Sequence, residues 1–209
     1  MFRYDSKFWS VVGVIGDVIV INILFILSCI PVVTIGAATS AMYAVMRKLA
    51  KKEEGYLVRD YIRALKENLK KSTAIWIIFL ILFVLILGDL KIVKTSINDS
   101  TTFSMAMGFF LVSFLLAVAI CIYALVLQSG FENTTKNTIK NATILMLAQL
   151  PWTVVILLTT LSPVLILMIF PTMYSVVLAG MFIGWFSGTA LINSFIFNRI
   201  FDKMIQNKE

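Results

Sequence analysis

The chain of 209 residues contains no histidine. That removes the commonest general base and the commonest metal ligand. There are two cysteines, Cys29 and Cys121, each inside an apolar run. They form no C-x-x-C pair and no metal-ligand spacing, and a solitary cysteine in such a setting behaves as a small hydrophobe. Charge is sparse: 14% of residues are charged, against ~25% in an ordinary soluble domain. Acidic residues are the rarer sign, 11 against 18 basic ones. No G-x-x-x-x-G-K-[ST], H-E-x-x-H or G-x-S-x-G occurs, so P-loop ATP hydrolysis, zinc proteolysis and serine hydrolysis lack their residues. No paired carboxylates stand inside the apolar runs. The expectation is a protein that is not an enzyme, with no catalytic, cofactor-binding or metal-binding residues.

What the chain has in excess is apolar surface. Sixty per cent of residues are hydrophobic, and mean hydropathy is +0.95. The excess sits in long, non-alternating runs, which excludes a β-barrel and leaves helices as the spanning elements. The fold class expected is all-α, a polytopic transmembrane helical bundle in one domain, residues 1–209. A span needs ~20 apolar residues. Clear spans are 11–30, 72–89, 103–127 and 142–161. Residues 164–197 carry no formal charge and are too long for one upright helix; Pro163, Pro171 and Thr172 interrupt them. They read as an irregular or short outer helix over 164–174 and a last span over 175–197. With the stretch after residue 30, this makes about six membrane segments.

The basic residues set the orientation. Residues 47–71 hold nine Lys and Arg. Loops rich in Lys and Arg stay cytoplasmic. With both termini cytoplasmic, sixteen of the eighteen basic residues fall on that side, leaving Lys91 and Lys94 outside. The net charge of +7 therefore reads as membrane orientation and not as nucleic-acid binding.

That count bears on P-V-V-T-I-G-A-A-T-S-A-M-Y, residues 31–43. Two crossings must lie between the N-terminus and Arg47. Residues 34–47 then form a short returning helix after a turn marked by Pro31 and Gly36. The alternative is one long kinked helix with the N-terminus outside. Gly36, Ser40 and Ala44 are four apart, as are Ala37 and Ala41, so small residues form two ridges on one helix. Gly180, Gly184 and Gly188 repeat the spacing, which lets helix backbones approach closely. These residues are the candidate helix-packing positions. The two stretches are candidate partners for each other, and contact within the chain or with a second copy stays open.

Two further features carry candidate function. Residues 56–71, Y-L-V-R-D-Y-I-R-A-L-K-E-N-L-K-K, show helical periodicity with a wide apolar face. A basic amphipathic helix beside a span anchors in the interface or docks a cytoplasmic partner. Arg59, Asp60, Arg63, Lys66 and Asn68 are its candidate docking residues. Asp17, Asn22 and Asn193 are polar residues within spans, a setting that marks function or interhelical bonding. If Asp17 is submerged, Arg47 or Arg199 is its expected partner.

Three motifs together carry a resemblance: the 31–43 stretch, E-E-G-Y-L-V-R-D-Y-I-R-A-L-K-E-N-L-K-K-S-T, and I-N-S-F-I-F-N-R-I-F near the C-terminus. In this order the chain resembles the YesL-type bacterial membrane proteins, a domain family of unknown function. Pro31, Thr34, Gly36, Gly55, Asp60, Asn68, Asn193 and Arg199 are the positions the resemblance marks as shared. It implies a non-catalytic accessory or assembly component of an oligosaccharide ABC importer in a Gram-positive bacterium. Its partners would be the lipid bilayer and the permease subunits with their ATPase. An independent small-solute transporter or channel is the competing expectation.

Overall fold

The computed structural model describes residues 7–53, 55–96, 99–131 and 133–206. Arg3 and Lys208, counted above with the basic side, lie outside the described residues. Within them the chain forms eight α-helices and no strand. They are α1 (Lys7–Ser28), α2 (Ile35–Ala50), α3 (Leu57–Ser96), α4 (Ser100–Gly130), α5 (Thr135–Ala148), α6 (Leu150–Ile169), α7 (Tyr174–Gly180) and α8 (Phe186–Gln206). Two 3-10 turns, Val32–Thr34 and Pro171–Met173, and a π-helical turn, Met181–Trp185, join them. Five stretches are long and apolar enough to cross a membrane: Val11–Cys29, Leu57–Val93, Thr101–Gly130, Leu150–Ile169 and Pro171–Lys203.

The stretch after residue 30 is a separate helix. Pro31 stands in extended backbone, and the Val32–Thr34 turn follows it. The Thr34 hydroxyl closes this corner by donating to the Ser28 and Pro31 carbonyls, at 2.6 and 2.8 Å. Trp76 clamps it from α3, its indole N–H donating to the Val32 carbonyl at 2.9 Å. Gly36 does not mark the turn; it lies inside α2. The kinked single helix is therefore excluded. α2 is the central helix, packed on α3, α4 and α8. Gly36, Ala37, Ala38, Ser40, Ala41, Met42, Tyr43, Val45 and Met46 are all buried. At 16 residues α2 is shorter than a span needs, and it is not among the five membrane-type stretches, against the about six segments expected.

Three expected boundaries change. Residues 56–71 do not form a separate interfacial helix. From Leu57 on they open α3, which runs unbroken for 40 residues. Lys70, Lys71, Ser72 and Thr73 include no glycine or proline, so nothing stops the hydrogen-bond ladder. The expected span 142–161 is divided at Gln149, between α5 and α6. Pro151 sits in the first turn of α6, where no N–H is needed. The segment 164–174, expected as irregular or a short outer helix, is instead the end of α6 as far as Ile169, because α6 continues through Pro163. Proline removes the N–H that would reach the Thr159 carbonyl. The Ser162 hydroxyl donates to that carbonyl instead, at 2.6 Å.

The basic ends of these helices share a dense core. Tyr61, Tyr123, Phe197 and Phe201 are essentially inaccessible. Tyr123 and Phe197 meet edge to face with ring centroids 5.0 Å apart, an arrangement worth ~0.5–1.5 kcal/mol beyond burial. Tyr43 meets the same Phe197 ring at 5.8 Å. Away from this core, α3 exposes Ile81, Val84 and Leu85.

Candidate functional site

The small residues of α2 form a seam within the chain. An ideal Cβ at Gly36 would fall 2.5 Å from the Ser72 carbonyl oxygen and closer still to the Trp76 Cβ. One turn on, the Ser40 hydroxyl donates to the Leu125 carbonyl of α4 and shares a 2.8 Å bond with the Ser72 hydroxyl. Ala37 and Ala41 are fully buried beside it, and Ala44 is half-buried. The seam's partners are thus α3 and α4.

The glycine stripe behaves differently. The π-helical turn between Gly180 and Gly188 breaks the 3.6-residue register that a four-residue repeat needs to keep one face. A Cβ at Gly180 would meet the Trp185 ring at 2.7 Å, one at Gly184 would touch Val18 of α1 at 3.4 Å, and one at Gly188 would meet nothing within 4 Å. The three glycines therefore share no common partner. α8 reaches α2 through later residues, Asn193, Phe197 and Asn198.

Asn22 explains how the π-helical turn is held. Its side chain is fully buried. The amide donates to the Met181 and Phe182 carbonyls, each at 2.9 Å. Its oxygen accepts from the Ser187 N–H at 3.2 Å and from the Ser187 hydroxyl at 3.4 Å. The Ser187 hydroxyl also donates to the Val18 carbonyl at 2.7 Å. A π-helical turn disturbs the regular ladder; one asparagine from α1 supplies both donors and acceptor across the gap.

Asn193 makes the second polar tie. Its oxygen accepts from Thr159 at 2.7 Å, and its amide donates to the Tyr43 and Thr160 hydroxyls at 3.3 and 3.2 Å. This joins α2, α6 and α8.

Arg47 closes the basic end. Its Nε donates to the Asn198 oxygen, and the Asn198 amide donates back to the Arg47 carbonyl, both at 3.0 Å. The guanidinium lies 4.4 Å over the Phe201 ring and against Gly130. Arg47 is thus engaged elsewhere and is not the partner of Asp17; Arg199 is exposed. Asp17 instead lines a cleft of about 290 Å³ with Lys48, Glu53 and Asp60. The planar guanidinium matters because lysine offers no flat face to stack. Arg47→Lys should cost ~1–3 kcal/mol through the lost charged hydrogen bond and cation–π contact, read as a lower unfolding temperature in detergent. The exposed Lys51–Asp202 pair, 2.9 Å apart, is worth ~0–1 kcal/mol and serves as the contrast.

On the docking segment, two of the five candidate residues face inward. Asp60 pairs with Lys48 at 3.1 Å, and Asn68 donates to the Ala64 carbonyl of its own helix. Arg59, Arg63 and Lys66 face outward with exposed Tyr56, Val58 and Ile62. Arg63 also bonds Glu67 along the helix at 2.8 Å. Sequence reasoning missed Ser72, Ser187 and Asn198, small polar residues whose role needs the tertiary partner to be known.

The build is that of an all-helical protein with membrane-type helices tied together by buried polar side chains. Residues 18–90 match the model of a family described as a protein of unknown function, DUF624. The matched stretch takes in the second half of α1, the Pro31 corner, α2 and most of α3, and so includes Asn22, Gly36, Arg47 and Asp60. Comparison with curated proteins and with solved structures returns no match.

Proposed function

We propose that the protein is a non-catalytic membrane component that works by packing its helices against membrane partners. The YesL-type resemblance points to permease subunits of a bacterial oligosaccharide ABC importer as those partners. The orientation follows the basic residues, with both termini and the Arg47 end cytoplasmic in a bacterial plasma membrane. The observation that carries this reading is the engagement of Asn22 and Asn193. Both are buried, and the amide and oxygen of each are bonded to other helices of the chain. The two asparagines that a solute path would use are committed to holding helices together.

The seam of α2 is enclosed, so partner helices must meet other surfaces. Ile81 and Val84 of α3 are 56% and 62% exposed and face the bilayer. Single cysteines there, with Cys29 and Cys121 replaced by alanine, should crosslink to tagged permease subunits in native membranes. A cysteine at buried Ser40 should not. Absence of permease adducts at both exposed positions, or proteoliposome solute flux that vanishes in a folded Asn193→Ala variant, would overturn the reading in favour of a transporter.

A further inference from the structure

α3 is one helix, and this changes what its basic half can touch. Val58 and Ile62 stand about 21 and 15 Å before Ser72, at ~1.5 Å per residue along the same axis. The apolar run begins only at Ser72, so along the axis of α3 these side chains lie well outside it. Their helix face is distinct from the packed one. Tyr61 is buried and Asp60 is tied to Lys48. The opposite face leaves Tyr56 80%, Val58 44% and Ile62 42% exposed. They line a shallow groove of about 950 Å³ with Arg59, Arg63, Lys66 and one acidic residue, Glu67.

Three cations flank this apolar strip. Only Arg63 has a carboxylate partner among the described residues, Glu67. A second copy laid on the face would bring like charges together. From this charge pattern we infer that the face docks an acidic amphipathic segment of a cytoplasmic protein. Apolar side chains of that segment cover Tyr56, Val58 and Ile62, and its carboxylates meet Arg59 and Lys66. Helix-on-helix recognition of this kind uses i, i+3 and i+4 anchors with charge complementarity setting the choice of partner. The inference rests on the proposed orientation and on the protein acting through partners.

The test uses the full chain in lipid nanodiscs, with an environment-sensitive dye on Lys70→Cys in a background lacking Cys29 and Cys121. Lys70 continues the exposed face. The probe is an 18-residue helical peptide of leucine and glutamate, with its leucine–lysine counterpart as control. The expected result is saturable binding of the glutamate peptide, at least ten-fold weaker for Arg59→Glu/Lys66→Glu. That variant should bind the lysine peptide instead. Val58→Ser/Ile62→Ser should also weaken binding at least ten-fold. All four residues are exposed, and unchanged unfolding temperature checks that the variants fold. Equal binding of the glutamate peptide by the charge-reversed variant, or no saturable binding at all, overturns the inference. So does dye emission that follows phosphatidylglycerol content without peptide, which assigns the face to the bilayer surface. Crosslinking at Ile81 and Val84 reports on the membrane-partner reading separately, so either can fail alone.

Discussion

Gly36→Val should leave little folded protein. Even the first added carbon would enter the space of the Ser72 carbonyl oxygen, 2.5 Å away, and of the Trp76 Cβ. Neither obstacle is the far end of a flexible side chain. One is backbone and the other is fixed at the root of the indole, which is itself bonded to the Val32 carbonyl. To admit a side chain, α2 and α3 must separate along the seam, and Ser40 then loses its bonds to Ser72 and Leu125. Overpacking of this kind costs ~1–3 kcal/mol and more where backbone must move. Gly36→Ala should lower the unfolding temperature clearly, and Gly36→Val should shift the chain to the void volume in size-exclusion chromatography. A monodisperse Gly36→Val protein with wild-type unfolding temperature would show that the seam is not closed. Gly188→Ala, with nothing within 4 Å of the new carbon, supplies the near-neutral comparison.

Asn22→Leu should be the second most damaging change. The substitution roughly preserves volume, so it isolates the polar contribution from the packing one. It leaves the Met181 and Phe182 carbonyls and the Ser187 N–H without the side chain that serves them. A buried group left unpaired costs ~1–3 kcal/mol. Part of this is recovered if the turn relaxes towards α-helix, so the expected net loss is about 3 kcal/mol. Ser187→Ala, which removes the hydroxyl and keeps the backbone N–H, should cost about 1 kcal/mol. Chemical unfolding in detergent micelles measures both. Equal effects from the two variants would mean that Asn22 acts only through the Ser187 hydroxyl, and not by holding the π-helical turn.

The sequence was most readable where one physical signal dominated. Long apolar runs specify the spanning helices because no other structure satisfies the backbone in lipid. The small residues from Gly36 to Ala44 announced close packing because side-chain volume limits how near two backbones can come. The same signal misled at Gly180, Gly184 and Gly188. Their spacing implies one face only if the helix keeps 3.6 residues per turn, and the Met181–Trp185 turn does not. Nothing local announces that turn; its support comes from Asn22, remote in sequence. The break at Gln149 and the continuity at Lys71 were hidden for a related reason. Polarity changes sharply at Lys71–Ser72 without any backbone interruption, whereas the backbone breaks at Gln149 with apolar residues on both sides. Hydropathy reports the solvent of a side chain, and hydrogen bonding decides where a helix ends.

The unbroken ladder of α3 also makes it a lever. Its 40 residues span about 60 Å at ~1.5 Å per residue, roughly twice the thickness of a hydrocarbon core. No glycine or proline lies between its first residue and Ile86. The Gly36 seam and the Trp76 clamp grip it partway along, like a fulcrum. Buried Tyr61 and the Lys48–Asp60 pair hold the basic half as well, so with no joint at Lys71 the Tyr56 end and the Ile81 and Val84 surface keep one fixed relation. Replacing exposed Lys70 and Lys71 with glycine would soften the helix there, at about 1 kcal/mol per residue, while keeping the register of both surfaces.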